Sequence, residues 1–196
     1  MEEQLRSIEQ EKIKTIGDVE KIGSSGALIK NTEQIKELVE EPLILACQIL
    51  YDKNIQTVAS NANCEGEQGE ASIGIDWNSL SEQNRKIAES LGLTPIQNEF
   101  GQTISFTMPI TKNTVLEQVE DYFSKLAQMF VLQEPSWIPR YSIDDLKTIY
   151  GYPENEEAEP SEFVESGYFY DDVLKTFYES EDHYRKINEW QKSENK

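Results

Sequence analysis

Apolar and polar side chains alternate through "EASIGIDW" (70–77): Ala71, Ile73, Ile75 and Trp77 take one side, and Ser72, Gly74 and Asp76 the other. A period of two predicts a strand with one buried face. The same period runs through "QTISFTMPI" (102–110), with Ile104, Phe106 and Met108 on one face and Pro109 marking an edge or a strand end. "IQTVAS" (55–60) is a third strand, rich in β-branched residues, with Ile55, Thr57 and Ala59 alternating against Gln56, Val58 and Ser60. "ALIKN" (27–31) is taken as a fourth, short strand.

Elsewhere the spacing lengthens to three and four. Ile35, Leu38, Val39, Leu43, Ala46, Cys47 and Leu50 share one face of a helix over 31–54. Asn31 and Gln34 have capping-box spacing, and Pro42 predicts a kink or a break with the proline in a first turn. A second helix covers 79–92: Ser79 and Glu82 cap it, Leu80, Ile87 and Leu91 form its stripe, and Gly92 ends it. The strongest helical pattern is 114–131, with Val115, Leu116, Val119, Tyr122, Phe123, Leu126, Met129 and Phe130 inward. A mostly polar helix is expected over 1–14, carrying Leu5, Ile8 and Ile13, and breakers follow it in "GDVEKIGSSG".

In chain order these elements read β-α-β-β-α-β-α. The expected class is α+β: a small antiparallel sheet with helices on one face. The first six elements follow the ferredoxin-like β-α-β-β-α-β order. Beyond Glu134 the pattern changes to a connector packed by Trp137, a short helix over 142–151 and a linker over 152–163. A long helix over 168–192 then carries Tyr170, Val173, Leu174, Phe177, Tyr184, Ile187 and Trp190 on one stripe. The organisation expected is an N-terminal helix and linker (1–22), an α+β core (23–133) and an acidic, aromatic, helical C-terminal extension (134–196).

Charge changes the picture most. With 37 acids against 18 bases, the chain carries a net charge of −19. Such a field repels nucleic acid and anionic membrane surfaces and attracts basic partners or cations. Two cysteines, Cys47 and Cys64, are too few for a disulfide framework. The leading residues "MEEQLRSIEQEKIK" contain no secretory apolar region, and "PLILAC" is far too short to span a bilayer, so a cytoplasmic location is expected.

Chemistry is sparse. In the 61–70 loop, Asn61, Asn63, Glu65, Glu67 and Glu70 could offer oxygen ligands to a hard cation. Their spacing is not that of an EF-hand, and Gly66 and Gly69 are what a long hairpin turn requires. Cys64 lacks a sequence-adjacent group to activate it, and the single histidine, His183, rules out a histidine-built metal site. "GSSG" at 23–26 lacks the lysine of a phosphate loop, and there is no serine nucleophile elbow. No catalytic residue, metal ligand or cofactor is assigned.

The informative stretch is 148–174, with eight acids, six aromatics and no lysine or arginine. Rings anchor interfaces, and a patch of one sign steers an oppositely charged partner. The residues expected to meet a partner are Tyr152, Glu154, Glu156, Glu157, Glu159, Phe163, Tyr168 and Tyr170. The function expected is therefore a non-enzymatic, acidic interaction or regulatory protein that docks a basic protein, as an inhibitor or antidote does. The alternative is a small-molecule- or metal-binding domain, or an enzyme, using the sheet face near Trp77 and Phe106 together with the 61–70 loop. Self-association through the last helix is a third expectation.

Overall fold

The computed structural model describes residues 13–22, 29–64, 67–153 and 156–194. The helix expected over 1–14 falls almost wholly outside them.

Helix α1 (Thr32–Leu38) starts where Asn31 turns its side-chain oxygen onto the Gln34 amide at 2.9 Å. The break expected at Pro42 is present. Pro42 sits in a 3-10 turn, Glu41–Leu43, and α2 (Ile44–Asp52) follows. Asn54, at φ 60, then turns the chain toward β1 (Thr57–Asn61). β2 (Gly69–Asp76) returns antiparallel to it. The register slips between Thr57 and Ala59, so Ala59 pairs with Gly74 on the face opposite Thr57. Strict alternation from Ile55 through Ala59 therefore fails at a bulge.

Helix α3 (Glu82–Ser90) is capped by Ser81, not Ser79, and Gly92 leaves it at φ 77, the left-handed conformation of a C-terminal stop. A tight hairpin, β3 (Ile96–Asn98) and β4 (Gly101–Ile110), follows. Asn98 builds its turn by accepting the Phe100 amide at 2.9 Å, and Gly101 takes φ 97. Then comes α4 (Leu116–Met129).

The described core sheet has four antiparallel strands in the order β1-β2-β4-β3. The ferredoxin-like order is not confirmed. It would place the 27–31 strand between 70–77 and 102–110, but β2 pairs with β4 directly, from Gly69↔Ile110 to Asp76↔Thr103. Residues 27 and 28 lie outside the described segment, and 29–31 lead into α1 without strand pairing. The buried cluster joins Ala71, Ile73, Ile75, Ile104 and Phe106 of the sheet to Leu50 of α2 and Val119, Phe123 and Ala127 of α4. Ile16 enters the same cluster, since residues 14–17 run antiparallel to 112–116 through Gly17 N–H to Lys112 O (2.9 Å) and Ile16 N–H to Thr114 O (2.9 Å).

A buried amide hub closes this unit. Gln133 donates to the carbonyls of Ser79 (2.7 Å) and Asn54 (3.1 Å) and accepts from Asn84 (2.8 Å) and the Ser81 amide (2.9 Å). Asn54 in turn donates to Gln133 O at 2.7 Å, and the Trp137 indole donates to Asn54 O at 2.9 Å. One side chain thus ties the end of α2, the start of α3 and the exit from α4.

The C-terminal region holds α5 (Ile143–Ile149), α6 (Pro160–Glu165), the hairpin β5 (Phe169–Asp171) and β6 (Thr176–Tyr178), and α7 (Glu181–Glu194). The long helix expected over 168–192 is corrected: its first half is the hairpin. Asp171 accepts the amides of Val173 (2.9 Å) and Leu174 (3.1 Å), and Lys175 takes φ 51, which together close a turn. The flanking aromatics suit strands as well as helices, so a helical stripe is read where a period of two operates. Tyr184 and Ile187 of α7 pack on Ile138 and Tyr178 within the same chain. No helix among the described residues is long and apolar enough to cross a membrane.

Candidate functional site

The acidic–aromatic stretch folds into a small core of its own. Leu146, Phe163 and Phe177 are its buried centre, with Tyr141, Tyr152, Tyr168 and Tyr170 packed around them. Phe163 is 1 % exposed and lies edge-on to Phe177 at 5.6 Å, while Tyr170 stacks on Phe177 at 4.5 Å. Phe163 therefore supports the surface from beneath. Tyr152, Tyr168 and Tyr170 are half-buried. Local sequence does not mark Phe163 as core, because charge on both sides of a ring says nothing about which way the ring turns.

The carboxylates stay outside. Glu156, Glu157 and Glu159 are exposed, and Glu154 lies outside the described residues. Glu162 does local work. Its two oxygens take the Glu159 amide (2.8 Å) and the Tyr152 hydroxyl (2.8 Å), which starts α6 behind Pro160. These bonds, the Glu159 amide first, hold the Glu162 carboxyl below its ordinary range, and the bond to Glu162 pushes the Tyr152 hydroxyl up. Tyr141 is pushed up to about 12 by burial and then by its bond to Glu179.

Sequence reasoning missed the apolar side chains that do reach solvent here. Val173 is 87 % exposed and Leu174 55 %, both at the tip of the β5–β6 hairpin beside exposed Asp172. Ile149, Tyr150 and Val164, at the ends of α5 and α6, are exposed as well. The cue was the pair of β-branched and aliphatic residues directly after "DD", which belongs to a turn and not to a helix stripe.

The 61–70 loop forms part of a second feature. Gly69 packs so closely on the loop that a Cβ there would lie 2.9 Å from Asn63 O and 3.1 Å from the Cys64 Cα. This fixes Asn63, whose amide donates to Glu40 at 3.0 Å. Glu40 is buried, and its carboxylate also takes backbone N–H groups, those of Ile22 and Ala62 among them. Burial raises its pKa, against the lowering effect of those donors. Beside these groups opens a cavity of about 440 Å³, lined by Gly17, Val19, Lys21, Asn63, Cys64 and Lys112. It does not involve Trp77 or Phe106, the residues expected to face a ligand. Phe106 is buried against Phe130 at 5.7 Å, and Trp77 lies under the Arg85 guanidinium at 5.4 Å. Cys47, deeper still, is 1 % exposed and has its thiol pushed up to about 12 by burial and then by the Glu40 charge. Among the described residues, no group of three or more His, Cys, Asp or Glu side chains is placed to hold a metal ion.

No protein-family model, no curated protein and no solved structure matches this chain.

Proposed function

We propose that the chain is a non-enzymatic interaction protein that docks a basic protein partner through its C-terminal region, in the manner of an inhibitor or antidote. The observation that carries this reading is the hairpin tip: Val173 and Leu174 stand in solvent beside the Asp172–Lys175 ion pair, on a chain of net charge −19. Desolvating aliphatic side chains supplies affinity, and the surrounding negative field supplies encounter rate and selects a lysine- or arginine-rich partner. The roles first expected of Phe163 and its neighbouring tyrosines pass to the exposed side chains that these rings hold in place. Glu156, Glu157 and Glu159 keep the steering role.

A random-peptide display library panned on the immobilised protein at low salt tests this. The enriched peptides carry lysine or arginine next to an apolar residue, and their binding weakens as salt rises. The double variant Val173→Ser, Leu174→Ser binds them about tenfold more weakly, the loss typical of removing an interface anchor. Enriched peptides without excess basic residues, or equal binding to the variant, would overturn the reading.

A second reading rests on the cavity beside Asn63 and Cys64, whose volume is within the range of small-ligand pockets. Lys112 in its lining favours a small carboxylate- or phosphate-bearing molecule. A thermal-shift screen with metabolites, inorganic phosphate and divalent cations tests it, because a ligand of the native state raises the melting temperature. Self-association through α7 would have to use its outer residues; light scattering measures that directly.

A further inference from the structure

The contact between α7 and the α+β core is built around one histidine. His183 is fully buried and is the single histidine of the chain. Its Nε2 lies 3.0 Å from the Ile29 carbonyl. A carbonyl only accepts, so Nε2 carries the proton and Nδ1 holds a lone pair. Nδ1 is buried and has no hydrogen-bond partner among the described residues. The Trp137 ring stands edge to face with the imidazole at 5.4 Å and helps to close it off from water.

The other contacts at this junction surround the same ring. Ser180 Oγ donates to Lys30 O at 2.6 Å and accepts the His183 amide at 3.2 Å. Lys30 pairs with Glu179 at 2.7 Å. From α2, the Tyr51 hydroxyl donates to Asp182 at 2.7 Å. Lys186 lies over the Tyr51 ring at 4.2 Å and donates to Tyr51 O at 2.8 Å.

We propose that His183 is a pH-sensitive latch, holding α7 on the core while the ring is neutral and releasing it when Nδ1 takes a second proton. A protonated Nδ1 would be a buried donor with nothing to donate to, and the ring would be a buried cation. The charges facing the ring divide. Asp182 and Glu179 favour the cation, and Lys186 opposes it. Burial is the largest influence, and the ring's pKa lies below the ordinary 6.5. The folded form thus binds fewer protons than the unlatched one. The latch is at full strength above about pH 6.5 and weakens as pH falls through that value. What is released includes the β5–β6 hairpin, because Tyr184 of α7 packs on Phe169 (4.6 Å) and Tyr178 (5.4 Å). The latch holds whether or not that hairpin docks a partner.

Since the chain has one histidine, its ring resonances are assigned in an NMR titration without ambiguity. A ring pKa below 6.5 is expected; one at or above that value overturns the proposal. Hydrogen exchange, corrected for intrinsic rates, is then compared at about pH 7 and about pH 5. The α7 amides lose several-fold or more of their protection, while β2 and β4 amides keep theirs. Equal loss in sheet and helix would mean ordinary acid unfolding and no latch. His183→Gln retains a donor for Ile29 O but cannot take a second proton, so its α7 protection stays flat. If that variant responds to pH as the parent does, the carboxylates are responsible and the proposal fails. If it does not fold, the titration and the parent's exchange pattern decide alone.

Discussion

Gly69 and Gly74 lie on the same strand, but an added methyl group meets different surroundings at each. At Gly69 a Cβ would stand 2.9 Å from the Asn63 backbone oxygen, too close for any real contact, whereas at Gly74 the nearest atom is a Val58 methyl at 3.4 Å. Gly69→Ala should therefore cost about 1–3 kcal/mol, because backbone must move, and Gly74→Ala should stay within about 1 kcal/mol. Urea denaturation of both variants checks this; equal costs would show that the 61–70 loop yields freely. The sequence suggests glycine in that loop for turn freedom. The actual reason is the close approach of two chain segments, which no local pattern records. The same holds for Phe163, whose flanking glutamates are plain in the sequence while the ring's inward direction is set by Leu146 and Phe177.

Among the elements, those with a long uniform period were legible. The helix expected over 114–131 is α4, and the two cleanest alternations are β2 and β4. Short or mixed elements were not. β3 is only three residues long, the aromatics of β5–β6 fit a helical stripe as well as strands, and Ser79 has the same capping spacing as Ser81. Aromatic residues and serines fit more than one state. The hub that locks these elements was invisible as well. Gln133 looks like any polar residue after a helix, yet it is buried and meets partners about fifty to eighty positions away. Gln133→Ala leaves the Ser81 amide and the Ser79 carbonyl without a partner, and takes one of two bonds from the Asn84 side-chain amide and from the Asn54 carbonyl, which keep Val131 O and the Trp137 indole. It should cost about 3 kcal/mol or more, at the upper end for point mutants. Calorimetry that finds a loss under about 1 kcal/mol would mean that water replaces the hub.

For the whole molecule, the dominant quantity is charge. Six ion pairs are seen among the described residues, four of them between neighbours in sequence. They leave a large excess of acid unbalanced, and the compact state carries that self-repulsion. Raising ionic strength from about 0.01 M to about 0.15 M shortens the screening length from about 30 Å to about 8 Å, so the melting temperature should rise. A fall would show that attraction between placed charges outweighs the net repulsion. The same screening should weaken the proposed docking, so salt acts on stability and on partner binding in opposite directions.

By itself the sequence determined the α+β class, the longer helices and strands, the break at Pro42 and the sign and size of the field. These follow from spacing along a few turns or from a sum over residues, and neither needs to know what packs where. Tertiary structure decided that β4 lies beside β2, which rings are sealed, where a cavity opens beside Asn63 and how His183 comes to face Ile29. Each of these joins segments far apart in the chain, whose meeting depends on the whole set of packed surfaces and leaves no mark in any local window.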